Sequence, residues 1–173
     1  MRECRKKVVM GLLLVAILSI GAIPGARAQE EGSLAKQIQG SWILVSNINE
    51  QDGKKSDVFG PNPRGFMVLT PEGRFSIIMM KASLPKIASN NRFKSSAEEN
   101  QAILQGSFAA FGTYKVVNEK ENRFIMHYEA TTFPNWDGQD LPRTMIVSGD
   151  EMKHINPTAA VGGTNYLIWK RVK

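Results

Sequence analysis

Two tryptophan motifs stand at the ends of a long region built from short strand-like runs. Gly40-Ser41-Trp42 opens the first run, and Trp169-Lys170-Arg171 closes the last one. Between them, turns of Gly, Pro, Asn and Asp separate the runs, a pattern typical of an antiparallel sheet. If the first and last strands of such a sheet meet, the sheet is closed. The pattern therefore predicts a small closed barrel.

Eight of the runs are predicted as strands. Short turns such as Pro71-Glu72-Gly73 and Gly149-Asp150 join neighbours in the sequence, as expected for antiparallel hairpins. The predicted strands cover residues 41–49, 66–70, 74–81, 108–117, 123–132, 141–148, 151–156 and 165–172.

Two further segments are predicted as helical. Residues 30–39 are a short polar lead in which Leu34 and Ile38 share one helical face. Ser96 and Glu99 have the spacing of a capping box, which predicts a helix over residues 97–105. One use of such a helix is as a lid over the open end of a barrel.

The first 28 residues have the three parts of an export signal. The start is basic, with Arg2, Arg5, Lys6 and Lys7. Residues 8–23 are apolar, and Ala26-Arg27-Ala28 is a small-residue cleavage site. The apolar part is about 16 residues long, whereas roughly 20 span a bilayer, which favours a cleaved signal over an anchor. We expect cleavage before Gln29, one domain over residues 29–173 without a transmembrane segment, and a periplasmic or secreted protein.

The signal also accounts for most of the basic charge. The formal net charge is +6, and five basic residues but one acidic residue lie in the first 28 positions. The basic charge therefore gives little reason to expect nucleic-acid binding, which normally needs a clustered basic face, and no nucleic-acid partner is expected. The single cysteine, Cys4, lies in the signal as well, so the domain has neither a disulfide nor a thiol nucleophile.

The order Gly-x-Trp, eight strands and Trp-x-Arg resembles the lipocalin plan, and the whole domain is similar to the bacterial and fungal lipocalin-like domain family. This resemblance implies an all-β fold: a single antiparallel eight-stranded lipocalin-like β-barrel with a short helix or lid. The residues that carry it are Gly40-Ser41-Trp42, Gly60-Pro61-Asn62-Pro63-Arg64-Gly65, Thr70-Pro71-Glu72-Gly73-Arg74-Phe75, Phe111-Gly112-Thr113-Tyr114, His127, Phe133-Pro134-Asn135-Trp136, Arg143 and Trp169-Lys170-Arg171.

Trp42 and Arg171 are predicted to have a structural role. In a closed barrel the first and last strands are neighbours, so the Arg171 guanidinium can lie on the Trp42 indole. Such a cation–π contact is worth roughly 0.5–2 kcal/mol, depending on exposure.

His127 is the first candidate for chemistry. By alternation it shares a strand face with Ile125 and Glu129, and residues two apart on a strand are about 7 Å apart. If that face is the inner one, His127 is a candidate general base or polar anchor for a ligand. The alternative is a strand histidine satisfied by its neighbours or by solvent.

Arg143 is the second candidate. Its strand face is otherwise apolar, with Leu141, Met145 and Val147 at alternate positions. An isolated buried charge is costly, so an inward-facing Arg143 needs a partner, either Glu129 or the carboxylate of a ligand.

Three aromatic residues are also considered: Trp136 and Tyr114 belong to the candidate ligand site, and Tyr128 lies near them. Trp136, in the loop after the fifth predicted strand, either flanks a bound molecule or packs under its own loop. Tyr114 and Tyr128 place hydroxyl groups on neighbouring strands, where each either anchors a ligand or reaches water.

No metal or cofactor is predicted. His127 and His154 are the only histidines, and no His or Cys spacing typical of a metal site occurs. The sequence also lacks a Gly-rich phosphate loop and a Gly-x-Ser-x-Gly nucleophile elbow.

Three functions fit these observations. The leading hypothesis is an exported lipocalin-like protein that binds a small, mainly apolar molecule in a cavity of at least roughly 300 Å³, without catalysis. The second is an isomerase or cyclase that uses His127 with Glu129 or Arg143. The third is an envelope protein-interaction module with a filled barrel and an exposed apolar patch.

Overall fold

Nine antiparallel strands and two helices make up the part of the chain that the computed structural model describes, residues 33–173. The predicted export signal, residues 1–28, lies outside the described residues. The elements are α1 (Leu34–Ile38), β1 (Gly40–Gln51), β2 (Lys54–Asp57), β3 (Arg64–Leu69), β4 (Arg74–Met80), α2 (Ala97–Gly106), β5 (Ser107–Asn118), β6 (Arg123–Thr131), β7 (Asp140–Ser148), β8 (Glu151–Asn156) and β9 (Thr164–Arg171), with single 3₁₀ turns at Arg92–Lys94 and Pro134–Trp136.

Eight of the nine strands close into a barrel, as the sequence predicts. β1 and β3 to β9 pair in chain order, and β9 returns to pair with β1. The additional strand β2 pairs only with the far end of β1. Its four residues, Lys54-Lys55-Ser56-Asp57, are polar and exposed. The segment therefore lacks the alternation of apolar and polar residues by which the sequence predicts a strand.

The inner face of most strands follows simple alternation. On β4, Phe75, Ile77 and Met79 are buried, whereas Ser76 and Ile78 are exposed. This settles which of the two apolar faces of β4 lines the barrel.

A β-bulge breaks this alternation in β1. Leu44 pairs with Trp169 and Ser46 with Ile168, so Val45 is an extra residue on the β1 side. Beyond the bulge, Asn47 and Asn49 are buried, whereas unbroken alternation from Leu44 places Ser46 and Ile48 inside. The bulge therefore brings two amides into the barrel.

The end of the barrel next to α1 is filled with side chains. Leu34 and Ile38 of α1 are buried, as their predicted shared face requires, and the Trp42 Nε1 donates a hydrogen bond to the Ile38 carbonyl at 2.8 Å. The predicted stacking is present, since the Arg171 guanidinium carbon lies 4.1 Å from the centre of the Trp42 ring. Arg171 also donates to the carbonyls of Gln37 and Gln39, so it ties β9 to the segment around α1.

Helix α2 begins where the sequence predicts. The Ser96 hydroxyl accepts from the Glu99 backbone N–H, and the Glu99 carboxylate accepts from the Ser96 backbone N–H, which completes the capping box. The helix ends at Gly106, where a side chain would collide with Leu84. None of the helices among residues 33–173 is long and apolar enough to cross a membrane.

Candidate functional site

A cavity of about 210 Å³ lies inside the barrel. It is smaller than the expected 300 Å³ or more. Side chains of α2 and of the β8–β9 loop contribute to its lining, among them Leu104 and Val161, which are more than half exposed. The cavity therefore suits a small molecule that enters between α2 and this loop.

One side of the cavity is apolar. Ile77 and Met79 of β4, Phe108 of β5 and Phe59 of the loop before β3 contribute to it. Ile77, Met79 and Phe59 are each at most 7 % exposed. We refer to the part of the barrel formed by β3, β4 and β5 as the apolar wall.

The opposite side is polar. Asn47 of β1, Asn165 of β9, His154 and Asn156 of β8, and Arg143 of β7 line the cavity, and all five are buried. Strand register groups them, because Asn165 pairs with Asn49 on one side and Asn156 on the other, while Leu167 pairs with Asn47 and His154. We refer to the part formed by β7, β8, β9 and β1 as the polar wall.

Several polar atoms of this wall have no hydrogen-bond partner among the described residues. Those on cavity-lining residues are the side-chain oxygens of Asn47 and Asn165, the Arg143 Nε and both ring nitrogens of His154. The Asn49 oxygen and the Trp169 Nε1 are also unpaired, but these two residues do not line the cavity. A buried polar group left unpaired costs about 1–3 kcal/mol of folding free energy. The unpaired groups of the polar wall therefore favour the binding of a polar partner that supplies the missing hydrogen bonds.

Arg143 is the central residue of the polar wall. It is 2 % exposed, its Nη1 donates to the Pro142 carbonyl at 2.7 Å, and its Nη2 donates to the Tyr128 hydroxyl at 3.0 Å. The guanidinium lies 5.4 Å from the ring centres of both Tyr128 and Trp136. Cation–π contacts of this kind contribute about 0.5–2 kcal/mol each, whereas a buried charge without a counter-ion costs several kcal/mol.

His154 adds a neutral imidazole to the wall. Burial, with a smaller contribution from the nearby Arg143 charge, lowers the pKa of His154 to about 3. Burial also raises the pKa of Tyr128, although Arg143 opposes that shift. At neutral pH both side chains are therefore uncharged, and His154 offers one donor and one acceptor to the cavity.

The family model for the lipocalin-like domain matches residues 39–172, which is most of the chain. The chain belongs to the lipocalin-like domain family. A comparison with curated proteins returns no match. Family membership agrees with the observed eight-stranded barrel, a fold that suits the binding of small molecules.

Of the predicted ligand residues of this lipocalin-like barrel, Arg143 and Trp136 line the cavity. Tyr128, whose hydroxyl is also a candidate anchor for a ligand, lines it as well. Trp136 packs under its loop, and it also lines the cavity. Its ring lies against the Phe108 and Phe133 rings at 5.6 and 5.7 Å, and the same side chain contributes to the cavity wall.

His127 lies on the outer face of the barrel, so the condition for its role as a base is not met. Alternation on β6 turns Phe124, Met126 and Tyr128 inward and leaves the His127 side chain 43 % exposed. Its Nδ1 is 2.7 Å from an Asp140 carboxylate oxygen.

Glu129 does not partner Arg143. Its carboxylate accepts a hydrogen bond from Arg74 at 2.7 Å, and it does not line the cavity. Glu129 is the extra residue of a bulge in β6, since Tyr128 pairs with Gly112 and Ala130 pairs with Phe111. A side chain at Gly112 would collide with the His127 carbonyl oxygen, so the close approach of the two strands requires glycine there.

Tyr114 is buried but lies away from the cavity. Its hydroxyl donates to the Thr70 carbonyl at 2.7 Å, which ties β5 to the turn after β3. The structure thus gives Tyr114 a contact within the protein.

Sequence reasoning missed His154, Asn47, Asn156 and Asn165 as cavity residues. For β8 the signal was available, because the charged Glu151 and Lys153 mark the outer face and leave His154 and Asn156 inside. For Asn47 the bulge in β1 hides the signal.

The interaction-module hypothesis includes an exposed apolar patch. On the outer face of the barrel, the apolar residues Ile43, Phe66 and Ile78 are cross-strand neighbours and are each 42–47 % exposed. Within residues 33–173, no three His, Cys, Asp or Glu side chains are grouped so that they could share a metal ion.

Proposed function

We propose that this protein is exported and binds a small, mainly apolar molecule inside its barrel. The observation that carries the proposal is the cavity inside the barrel, whose polar wall has unpaired hydrogen-bonding groups opposite an apolar wall. A bound molecule would bury its apolar part against Ile77, Met79 and Phe108 and would satisfy the polar groups with its other end. Both contributions favour the complex over the free protein.

Binding is better supported than an isomerase or cyclase reaction. A base is needed for that chemistry, and His127 lies outside the cavity. His154 does line the cavity, but with a pKa of about 3 it is a weak base at neutral pH. The interaction-module hypothesis assumes a filled barrel, whereas a cavity is present.

Export is supported by the pattern of the first 28 residues. Fractionation of the native host, followed by sequencing of the N-terminus, tests it directly. We expect the exported protein to begin at Gln29. Recovery of full-length protein from the cytoplasm alone contradicts export.

Native mass spectrometry of protein purified from its host tests the binding proposal. We expect a stoichiometric small-molecule adduct on residues 29–173. Met79→Trp places a larger side chain into the cavity and should abolish the adduct. Ile78→Trp is the matched control, because Ile78 is the next residue on β4 but points outward. An adduct that survives Met79→Trp contradicts binding inside the barrel.

A further inference from the structure

The charge inside the cavity is unbalanced. Arg143 is the one charged side chain among the described residues that line the cavity, and no Asp or Glu is present in that lining. The expected counter-ion Glu129 pairs with Arg74 instead. A buried guanidinium without a carboxylate is the arrangement that a bound anion stabilises most.

The hydrogen bonds of Arg143 leave some of its donors unused. A guanidinium has five N–H groups. One Nη1 and one Nη2 group are bonded to the Pro142 carbonyl and the Tyr128 hydroxyl, and the Nε has no partner among the described residues. The Nε–H and a remaining Nη–H of the same guanidinium form the fork that receives both oxygens of a carboxylate.

We infer that the ligand is a small amphipathic carboxylate whose head group is held by Arg143 and whose apolar body lies against Ile77, Met79 and Phe108. This inference rests on the proposed function and adds the chemical class of the ligand. The cavity volume of about 210 Å³ limits the body to a short chain or a single ring.

The neighbours of Arg143 agree with a ligand that carries one negative charge. His154 is neutral, so the polar wall presents the single positive charge of Arg143. The neutral imidazole near Arg143 and the Asn47 and Asn165 amides elsewhere on the polar wall add uncharged donors and acceptors to the cavity. A hydroxyl or carbonyl group on the ligand would find partners among them.

A purely structural role for Arg143 is the competing explanation. Its contacts with Tyr128 and Trp136 join β6, β7 and the Pro134–Trp136 turn. Such a role predicts lower stability in Arg143 variants but no preference of the cavity for anions. The two explanations are separated by ligand selectivity and not by stability.

Calorimetric titration with matched ligand pairs tests the inference. The probes are straight-chain carboxylates from butanoate to octanoate, each compared with the primary amide of the same length at neutral pH. We expect the wild-type protein to bind the best carboxylate about tenfold or more tightly than its amide, because charge-assisted hydrogen bonds are the stronger ones. Arg143→Gln should reduce that ratio to about one while amide binding persists.

Arg123→Gln is the matched control. It removes the same charge from β6, but the Arg123 side chain is 58 % exposed and pairs with Glu121 on the surface. The carboxylate preference should be unchanged in this variant. If Arg143→Gln does not fold, Arg143→Lys and the wild-type carboxylate-to-amide ratio decide the question, since lysine keeps the charge but loses the fork.

Each outcome has a distinct meaning. Equal affinity for carboxylates and amides in the wild type overturns the inference and leaves the proposed function intact. A preference that survives in Arg143→Gln also overturns it. Failure of both ligand series to bind, at every chain length, overturns the inference together with the proposed function for molecules of this size.

Discussion

The apolar wall and the polar wall of the barrel contribute to folding in opposite ways. On the apolar wall, Met67, Ile77 and Phe75 are each at most 4 % exposed, and burial of such side chains contributes about 1.5–3 kcal/mol each. On the polar wall, groups such as His154 and Asn165 are equally enclosed but have polar atoms that lack partners within residues 33–173. Folding alone explains why the side chains of the apolar wall are buried. It does not explain the unpaired polar atoms that line the cavity, whereas ligand binding does.

The largest expected effect comes from the apolar wall. Phe75→Ala removes a ring that is 3 % exposed and packs edge-on against Tyr128, with ring centres 5.2 Å apart. We expect the free energy of unfolding to fall by about 3–5 kcal/mol, measured by urea denaturation. A loss below about 1 kcal/mol would show that this wall does not carry the core.

A second, smaller effect concerns the pH dependence of the polar wall. The pKa of His154 is about 3 in the folded protein, below its ordinary value of 6.5. The unfolded chain therefore takes up the proton first, and stability falls as the pH drops from about 6.5 toward about 3. Between about pH 7 and about pH 5 we expect a loss of about 2 kcal/mol from this group.

His154→Met is the variant that isolates this contribution. Methionine has a similar size and does not titrate, so the loss of about 2 kcal/mol between about pH 7 and about pH 5 should be absent from the variant. Urea denaturation at the two pH values provides the measurement. A wild-type curve that runs parallel to that of the variant contradicts a buried, neutral His154.

A third prediction addresses the cost of the polar wall directly. Asn165→Leu removes a buried amide whose oxygen has no partner among the described residues. We expect the free energy of unfolding to rise by about 1 kcal/mol. The reverse exchange on the same strand, Leu167→Asn, should lower it by about 1–3 kcal/mol. Loss of stability in Asn165→Leu would mean that the amide has a structural role.

The sequence predicts the framework of this fold well, because the framework depends on local patterns. Alternation marks the eight barrel strands, and the spacing of Ser96 and Glu99 marks the start of α2. The stacking of Arg171 on Trp42 follows from the closure of the barrel. The first two features need no knowledge of distant contacts, and the third follows once β1 and β9 are known to meet.

One part of the site is less predictable, because it depends on a bulge that a distant strand imposes. The extra residue in β1 arises from pairing with β9, more than 100 residues away in the chain, and it turns Asn47 inward. The bulge at Glu129 does have a local signal, since a glycine within a strand, here Gly112, often marks one. If these bulges are ignored, alternation assigns part of β1 and part of β6 to the wrong face.

The smallest expected effect comes from the outer face. His127→Gln changes an exposed side chain that is hydrogen-bonded to Asp140, and an exposed contact of this kind contributes at most about 1 kcal/mol. We expect unchanged affinity for hexanoate, measured by calorimetry, and little change in stability. A marked loss of hexanoate affinity would show that His127 does belong to the ligand site.

The most direct test of the account observes Arg143 during binding. A ¹⁵N–¹H correlation spectrum detects arginine Nε–H groups, and the Arg143 signal is identified by its absence in Arg143→Gln. We predict that this signal shifts as hexanoate is added to the wild-type protein and stays in place with hexanamide. If calorimetry shows that hexanoate binds while the Arg143 signal does not move, the polar wall does not hold the carboxylate and the account is wrong.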